Sequence, residues 1–365
     1  MIETGNIINA LSKVIDPISG QNLIEKNMVR DLSIDGNNIQ FTLELTTMNT
    51  PSKSELNFAC MEAIQKIYPD ANVHVHMMGK NPNAAAPQNT SSVPQIKNII
   101  AVASGKGGVG KSTVAVNLAL ALKRTGAKVG LIDADLYGPS IPTMLGLQGE
   151  KPKVQDVYGK PKIVPLEAYG LPVMSLGFII EPEQAVVLRG PRLAAIIKQF
   201  FQDTIWTDLD YLVVDLPPGT GDVQLTLVQT VPVTGVVLVT TPQEVAVADA
   251  VKAMNMFLLP SVNVPILGVV ENMSWFTPKE LPNNKYYLFG EGGGEKMVNL
   301  SNSVLLGKIP LIQGIREAGD EGKPAVVTDD TNLQQYFLTI AQNTIQQVAK
   351  RNEGKDPTKI VQITT

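Results

Sequence analysis

Cysteine is nearly absent from the 365-residue chain, with Cys60 its sole representative. One thiol excludes an intramolecular disulfide and any Cys-rich metal site built within a single chain. Histidine is almost as scarce, at His74 and His76. Aromatic residues make up only 5 % of the chain. A core must therefore rest on Val, Ile, Leu and Ala, as in parallel sheets covered by helices. Basic charge is not in excess: 30 Lys and Arg stand against 34 Asp and Glu, for a net charge of −4. That balance lacks the basic footprint of a protein that grips nucleic acid. No apolar run approaches the roughly 18 residues of a membrane span. Residues 1–5 have neither the basic start nor the apolar stretch of a secretion signal. The expectation is a soluble, cytoplasmic chain with no nucleic-acid and no membrane partner.

What is present points to globular structure, since 44 % of residues are hydrophobic and 18 % charged. Residues 78–94 hold three prolines among small polar residues, a linker composition. They divide a small α+β domain, residues 1–77, from a large piece, residues 95–350, and leave residues 351–365 as a C-terminal tail. In the small piece Ile7, Ile8, Leu11, Val14 and Ile15 recur at helical spacing up to Asp16-Pro17. Two strand-like runs, Met28–Ile34 and Ile39–Thr46, flank Asp35-Gly36-Asn37-Asn38, which has hairpin chemistry. A helix is expected over Ser52–Ile67 and a strand over Ala71–Met77. Alternation on that strand turns Val73, Val75 and Met77 inward and the two histidines toward water. Cys60 falls mid-helix and reads as a small buried hydrophobe.

The large piece alternates short β-branched runs with helical patterns. The runs are Ile99–Ala103, Val129–Ile132, Leu212–Val214, Val236–Val239 and Ile266–Val270. Their spacing predicts an α/β fold, a mostly parallel sheet with helices on both faces. Directly after the first run comes Gly105-Lys106-Gly107-Gly108-Val109-Gly110-Lys111-Ser112-Thr113, and then a helical stretch from Val114 to Arg124. Strand, glycine loop and helix are the context of a phosphate-binding P-loop. Glycines let backbone N–H groups wrap phosphate oxygens, and the helix N-terminus adds positive potential. Lys111 is expected to reach the terminal phosphates of ATP and Ser112 to hold Mg²⁺. Two strand ends carry carboxylates: Asp215, placed for Mg²⁺, and the pair Asp133 and Asp135, one of which could orient the attacking water. The bare pattern leaves Lys106 undecided between a solvated loop lysine and a functional one.

Together these residues resemble a family. Lys106–Thr113 is similar to the deviant Walker A loop of the MinD/ParA/ArsA class. Asp133-Ala134-Asp135-Leu136-Tyr137-Gly138-Pro139-Ser140 and Asp215-Leu216-Pro217-Pro218-Gly219-Thr220-Gly221-Asp222 resemble switches I and II of its Mrp/ApbC branch. Arg189-Gly190-Pro191, Glu271-Asn272-Met273-Ser274 and the run from Arg316 to Pro324 also match that branch, over nearly all of residues 95–345. The first 77 residues resemble a small domain associated with iron–sulfur assembly. The resemblance implies a slow, switch-type ATPase that sandwiches two ATP molecules in a homodimer and passes iron–sulfur clusters to apo-proteins. It implies that Lys106 reaches the partner copy's phosphates, that Asp135 orients water and that Asn272 sits by the adenine. Members that hold a cluster usually carry Cys-x-x-Cys after the Glu-Asn-Met-Ser motif. Here that stretch reads Trp275-Phe276-Thr277-Pro278-Lys279-Glu280-Leu281-Pro282, and the small domain's usual cysteine gives way to Met48-Asn49-Thr50-Pro51-Ser52. The iron–sulfur ligands are thus unassigned.

Two other functions compete. One is a positioning or partner-binding switch without a cluster. Its membrane form would want a basic amphipathic C-terminal helix, whereas the stripe Leu333, Phe337, Ile340, Ala341, Thr344 and Val348 is backed by glutamines and Asn343 and is expected to pack on its own domain. The other is a metabolic kinase, for which no acceptor motif is visible.

Overall fold

The structure is a computed structural model. It describes residues 2, 4–16, 22–24, 26, 28–45, 52–79, 93–135, 138–157, 159–179 and 190–354. The chain divides into two compact units, residues 1–88 and 89–365. Residues 80–92 of the linker expected over 78–94, the Met48–Pro51 stretch, Leu136-Tyr137, Arg189 and the tail beyond Gly354 lie outside the described residues, while Met78 and Gly79 belong to a strand.

In the first unit, α1 (Thr4–Leu11), β1 (Val29–Asp35), β2 (Asn38–Leu45), α2 (Ser52–Gln65) and β3 (Asn72–Gly79) follow one another. The strands form one sheet in the order β1-β2-β3, with β1 antiparallel and β3 parallel to β2. Ile7, Leu11, Phe41, Leu43, Cys60, Ile64 and Val73 share one core. The first helix is shorter than its periodicity suggests. It ends at Leu11, and Ile15, 60 % exposed, bridges instead to Asn22. The apolar stripe past Leu11 therefore belongs to a turn, and Val14 reaches the core from outside the helix.

In the second unit the strands are β4 (Ile96–Ser104), β5 (Val129–Asp133), β6 (Lys153–Val157), β7 (Lys160–Val164), β8 (Leu166–Ala168), β9 (Leu171–Ser175), β10 (Leu209–Asp215), β11 (Gly235–Thr240), β12 (Ile266–Asn272) and β13 (Leu305–Ile309). The helices are α3 (Lys111–Arg124), α4 (Ile141–Met144), α5 (Gly190–Gln202), α6 (Asp222–Thr230), α7 (Glu244–Leu258), α8 (Gly293–Ser301), α9 (Gln313–Asp320) and α10 (Thr331–Gly354). Eight strands form the main sheet in the order β13-β12-β11-β4-β10-β5-β9-β8, parallel except for edge strand β8. Strand alternation divides the core. Ile99, Ala101, Leu212, Val214, Val236 and Leu238 face one side with α5, α6 and α7. Ile100, Val102, Leu131, Val213 and Val237 face the other with α3 and α10.

The C-terminal stripe of Leu333, Phe337, Ile340, Ala341, Thr344 and Val348 is buried, so α10 covers its own sheet. That helix continues past residue 350 to Gly354. Strand β4 lies at the centre between β10 and β11; the chain leaves β4 through α3 for β5 on one side and leaves β10 through α6 for β11 on the other. This is the topological switch point at which parallel sheets bind ligands beyond the strands' carboxyl ends.

Candidate functional site

The loop Gly105–Gly110 leaves β4 at that switch point and enters α3 at Lys111. Gly108 and Gly110 both adopt φ +82°, the left-handed conformation that glycine takes without strain. Gly105 has a different reason to be glycine. A Cβ there would collide with the backbone of Asp249 and Ala250 in α7. Asn272, at the end of β12, donates from Nδ2 to the carbonyl of Val109 at 2.8 Å and fixes the loop from the side. No side chain caps α3 at Gly110, so its first N–H groups are available to an anion.

Lys111, 6 % exposed, projects from the first turn of α3. Its Nζ donates to Asp215 Oδ1 at 2.8 Å and to Ser112 Oγ at 3.3 Å, and stands 3.7 Å from Asp135 Oδ2. Asp215 is fully buried at the end of β10, in register with Asp133 at the end of β5. Burial raises the pKa of Asp215, and the charge and hydrogen bond of Lys111 pull against that rise. Its second oxygen, Oδ2, is buried with no hydrogen-bond partner. An unpartnered carboxylate oxygen beside a serine hydroxyl is a hard oxygen donor set, and it fits Mg²⁺ or a water bound to it.

The paired aspartates separate clearly. Asp133 is fully buried; its Oδ1 accepts the backbone N–H of Asp135 at 3.1 Å, and its Oδ2 accepts the Ser175 hydroxyl at 3.0 Å and the Ile141 N–H at 3.4 Å. Burial, and then the charge of Asp215, raise its pKa. Its oxygens are occupied with holding the backbone. Asp135 instead lines a cavity of about 240 Å³ with Lys106, Gly107, Gly108, Lys111, Ser112, Thr113 and Pro218. Pro218 belongs to a turn held by Gly219 N–H donating to the Ser104 carbonyl and by Gln224 Nε2 donating to the carbonyls of Pro217 and Gly219. Lys106 Nζ donates to Gln243 Oε1 at 3.4 Å, ahead of α7.

A second cavity, of about 380 Å³, adjoins the first, sharing Gly110, Thr113, Ser140 and Met144 with it. Its other walls are Thr143, Asn272, Met273, Pro310, Leu311, Ile312, Ile315, Arg316, Gly319 and Asp320. Polar phosphate space beside a mainly apolar slot is the layout of a nucleotide site. The sequence motif from Arg316 onward thus forms a cavity wall.

Cys60, His74 and His76 belong to the first unit. Cys60 is fully buried, and desolvation pushes its thiol pKa up to about 12. His74 and His76 are exposed while Val73 is buried, as alternation requires. Among the described residues no group of three or more His, Cys, Asp or Glu could hold a metal ion. After Ser274 the chain forms an irregular excursion in which Phe276 and Tyr286 exchange backbone hydrogen bonds, Lys285 lies over the Trp275 ring, and Leu281, Tyr286, Tyr287 and Leu288 are exposed. Among the described residues no helix is long and apolar enough to cross a membrane. Sequence reasoning passed over Gln224, Gln243, Ser175 and Asn117. Of these, only Asn117 carries a visible signal, a single amide inside the apolar run of α3.

The family model described as NUBPL iron-transfer P-loop NTPase matches residues 95–345, and a model described as iron–sulfur cluster assembly protein matches residues 5–75. The iron–sulfur cluster carrier protein of Synechocystis is 46 % identical over 355 residues, 97 % of this chain and 98 % of that protein. Among solved structures, a nucleotide-binding protein of Archaeoglobus fulgidus in complex with ADP is 35 % identical with a TM-score of 0.56, covering 67 % of this chain and 93 % of its own. The cell-division ATPase MinD of Pyrococcus furiosus is 25 % identical with a TM-score of 0.51, covering 68 % and 99 %.

Proposed function

The chain belongs to the NUBPL-type iron-transfer P-loop NTPases, and from that premise we propose that it is an ATP-switched carrier of iron–sulfur clusters that delivers them to apo-proteins. The observation that supports this most is the buried cluster around Lys111. The lysine is neutralised by Asp215 at 2.8 Å, and the second Asp215 oxygen has no partner. An arriving triphosphate gives Lys111 a stronger counter-charge than the carboxylate it now meets.

In this reading the N–H groups of Gly107–Thr113 cradle the phosphates, and Lys111 turns from Asp215 to the terminal ones. Ser112 and the freed Asp215 hold Mg²⁺ or its water, and the metal when bound neutralises charge on the phosphate oxygens. Asp135, the carboxylate that faces the cavity, orients the attacking water. Asn272 stands between loop and base slot, and the adenine lies against Met273, Leu311 and Ile312. Lys106 leaves Gln243 and reaches the phosphates of a second copy, where it stabilises charge that develops during transfer. Hydrolysis is slow because the catalytic set is complete only in the dimer.

Two substitutions test the site. Lys111→Ala should lower ATP affinity at least a hundredfold by calorimetry, since a charge-assisted pair of this kind contributes about 3 kcal/mol. Asp135→Asn should bind ATP within about threefold of the parent and hydrolyse it at least tenfold more slowly. Unchanged affinity in the first, or unchanged turnover in the second, removes that residue from the mechanism.

A second reading rests on a specific observation, the lack of accessible thiolates. A four-iron cluster normally takes four thiolate ligands, and the single cysteine of this chain is buried. On that reading the protein is an ATP-dependent dimerisation switch that serves assembly or positioning through its partners and holds no cluster. ATP-dependent co-sedimentation with liposomes or DNA would favour it over the carrier.

A further inference from the structure

The phosphate and base cavities are built on segments far apart in sequence, and one buried side chain joins them. Asn117 lies on the second turn of α3 and is 3 % exposed. Its Nδ2 donates to the Thr113 carbonyl at 2.9 Å, and its Oδ1 accepts the Val326 N–H at 2.9 Å. Thr113 lines both cavities. Val326 lies in the short 3-10 turn Ala325–Val327, directly after the segment whose Ile315, Arg316, Gly319 and Asp320 wall the base slot. Arg124, two turns further along α3, makes a second tie, donating from Nη1 to the Val326 carbonyl at 2.7 Å.

We infer that Asn117, seconded by Arg124, is a positioning residue that sets the base-slot wall against the phosphate loop. The inference rests on the nucleotide reading of the two cavities. The fit of the purine part depends on where the 313–324 segment stands. Through α9 that segment packs on α4 and on the 3-10 turn, both of which also pack on α3, and Tyr169 Oη donates to the Gly322 carbonyl at 2.6 Å; the side-chain hydrogen bonds to Val326 set its register on α3. The phosphate-facing N–H groups belong to the loop and the start of α3, steadied by Asn272 on the Val109 carbonyl, and none of these contacts involves the 313–324 segment. Losing the amide leaves a buried N–H at Val326 without its partner, and the wall relaxes to satisfy it.

The separation gives the test. The full-length parent, Asn117→Ala and Arg124→Ala are titrated by calorimetry with MgADP and with magnesium tripolyphosphate, which has no base. Asn117→Ala should lose about tenfold in MgADP affinity, the effect of one unsatisfied buried donor, and keep tripolyphosphate affinity within about twofold. Arg124→Ala, at the exposed C-terminal end of the helix, should show the same selectivity with a loss of about threefold. A loss shared equally by both ligands, or no loss for either, overturns the inference. If Asn117→Ala does not fold, Arg124→Ala decides the matter alone. If the parent binds neither ligand, the nucleotide reading itself has failed.

Discussion

Asp133 and Asp135 are two residues apart and do different work, and burial decides which does what. Asp133 spends its oxygens on Asp135 N–H, Ile141 N–H and the Ser175 hydroxyl, while Asp135 lines the phosphate cavity. Sequence spacing alone shows two carboxylates at a strand end and cannot tell the one that braces the backbone from the one that lines the cavity. Cys60 is the opposite case, since a lone cysteine among apolar helix residues already reads as core. Its folded-state pKa, about 12 against a reference of 9.0, comes from desolvation. Below about pH 9 the thiol is protonated in both folded and unfolded chains and has no effect on stability. Above it the unfolded chain loses its proton first, so the stability of the first unit falls as pH rises toward 12. At pH 8 a thiol-reactive dye should therefore label Cys60 only after denaturant is added. Rapid labelling of the native protein would contradict its burial and reopen it as a ligand.

At the scale of elements, the loop was legible because its glycines, its lysine and its flanking strand and helix are contiguous. The alternating β-branched runs gave five strands of the main sheet for the same reason: they are buried on both faces and hence continuously apolar. Strands β6 and β7 escaped because Lys153–Val157 and Lys160–Val164 are polar and mostly exposed. Strands β8, β9 and β13 are only three to five residues long. Helix α1 was overextended because Val14 is buried without being helical. The base slot was the least legible part of the site, since it exists only once β13, α9 and the start of α3 are brought together. Two substitutions probe how elements hold the site. Gly105→Ala should force α7 away from the loop and lower stability by about 2–4 kcal/mol. Phe337→Ala, which opens a cavity between α10 and the sheet, should cost about 3–5 kcal/mol. Chemical denaturation followed by circular dichroism measures both, and a change below about 1 kcal/mol in either would contradict the packing described.

For the molecule as a whole, the role proposed for Lys106 depends on a second copy. Among the described residues its ammonium donates to Gln243, at 3.4 Å, an uncharged partner and a long hydrogen bond. Lys106→Ala should leave ATP affinity of the monomer within about twofold, abolish the ATP-induced dimer in sedimentation velocity, and slow turnover about a hundredfold or more. A variant that still dimerises and hydrolyses ATP would confine Lys106 to the loop of its own chain.

The carrier assignment itself is tested most directly by loading. The full-length protein is purified without air, supplied with iron and sulfide, and assayed for bound iron, labile sulfide and visible absorption per chain, and then for transfer to an apo-protein with and without MgATP. The account predicts a bound cluster that passes to the acceptor, with the ATP dependence lost in Lys111→Ala. A protein that binds ATP normally yet retains no iron or sulfide above the level of an unrelated control would contradict it and leave the switch without a cargo.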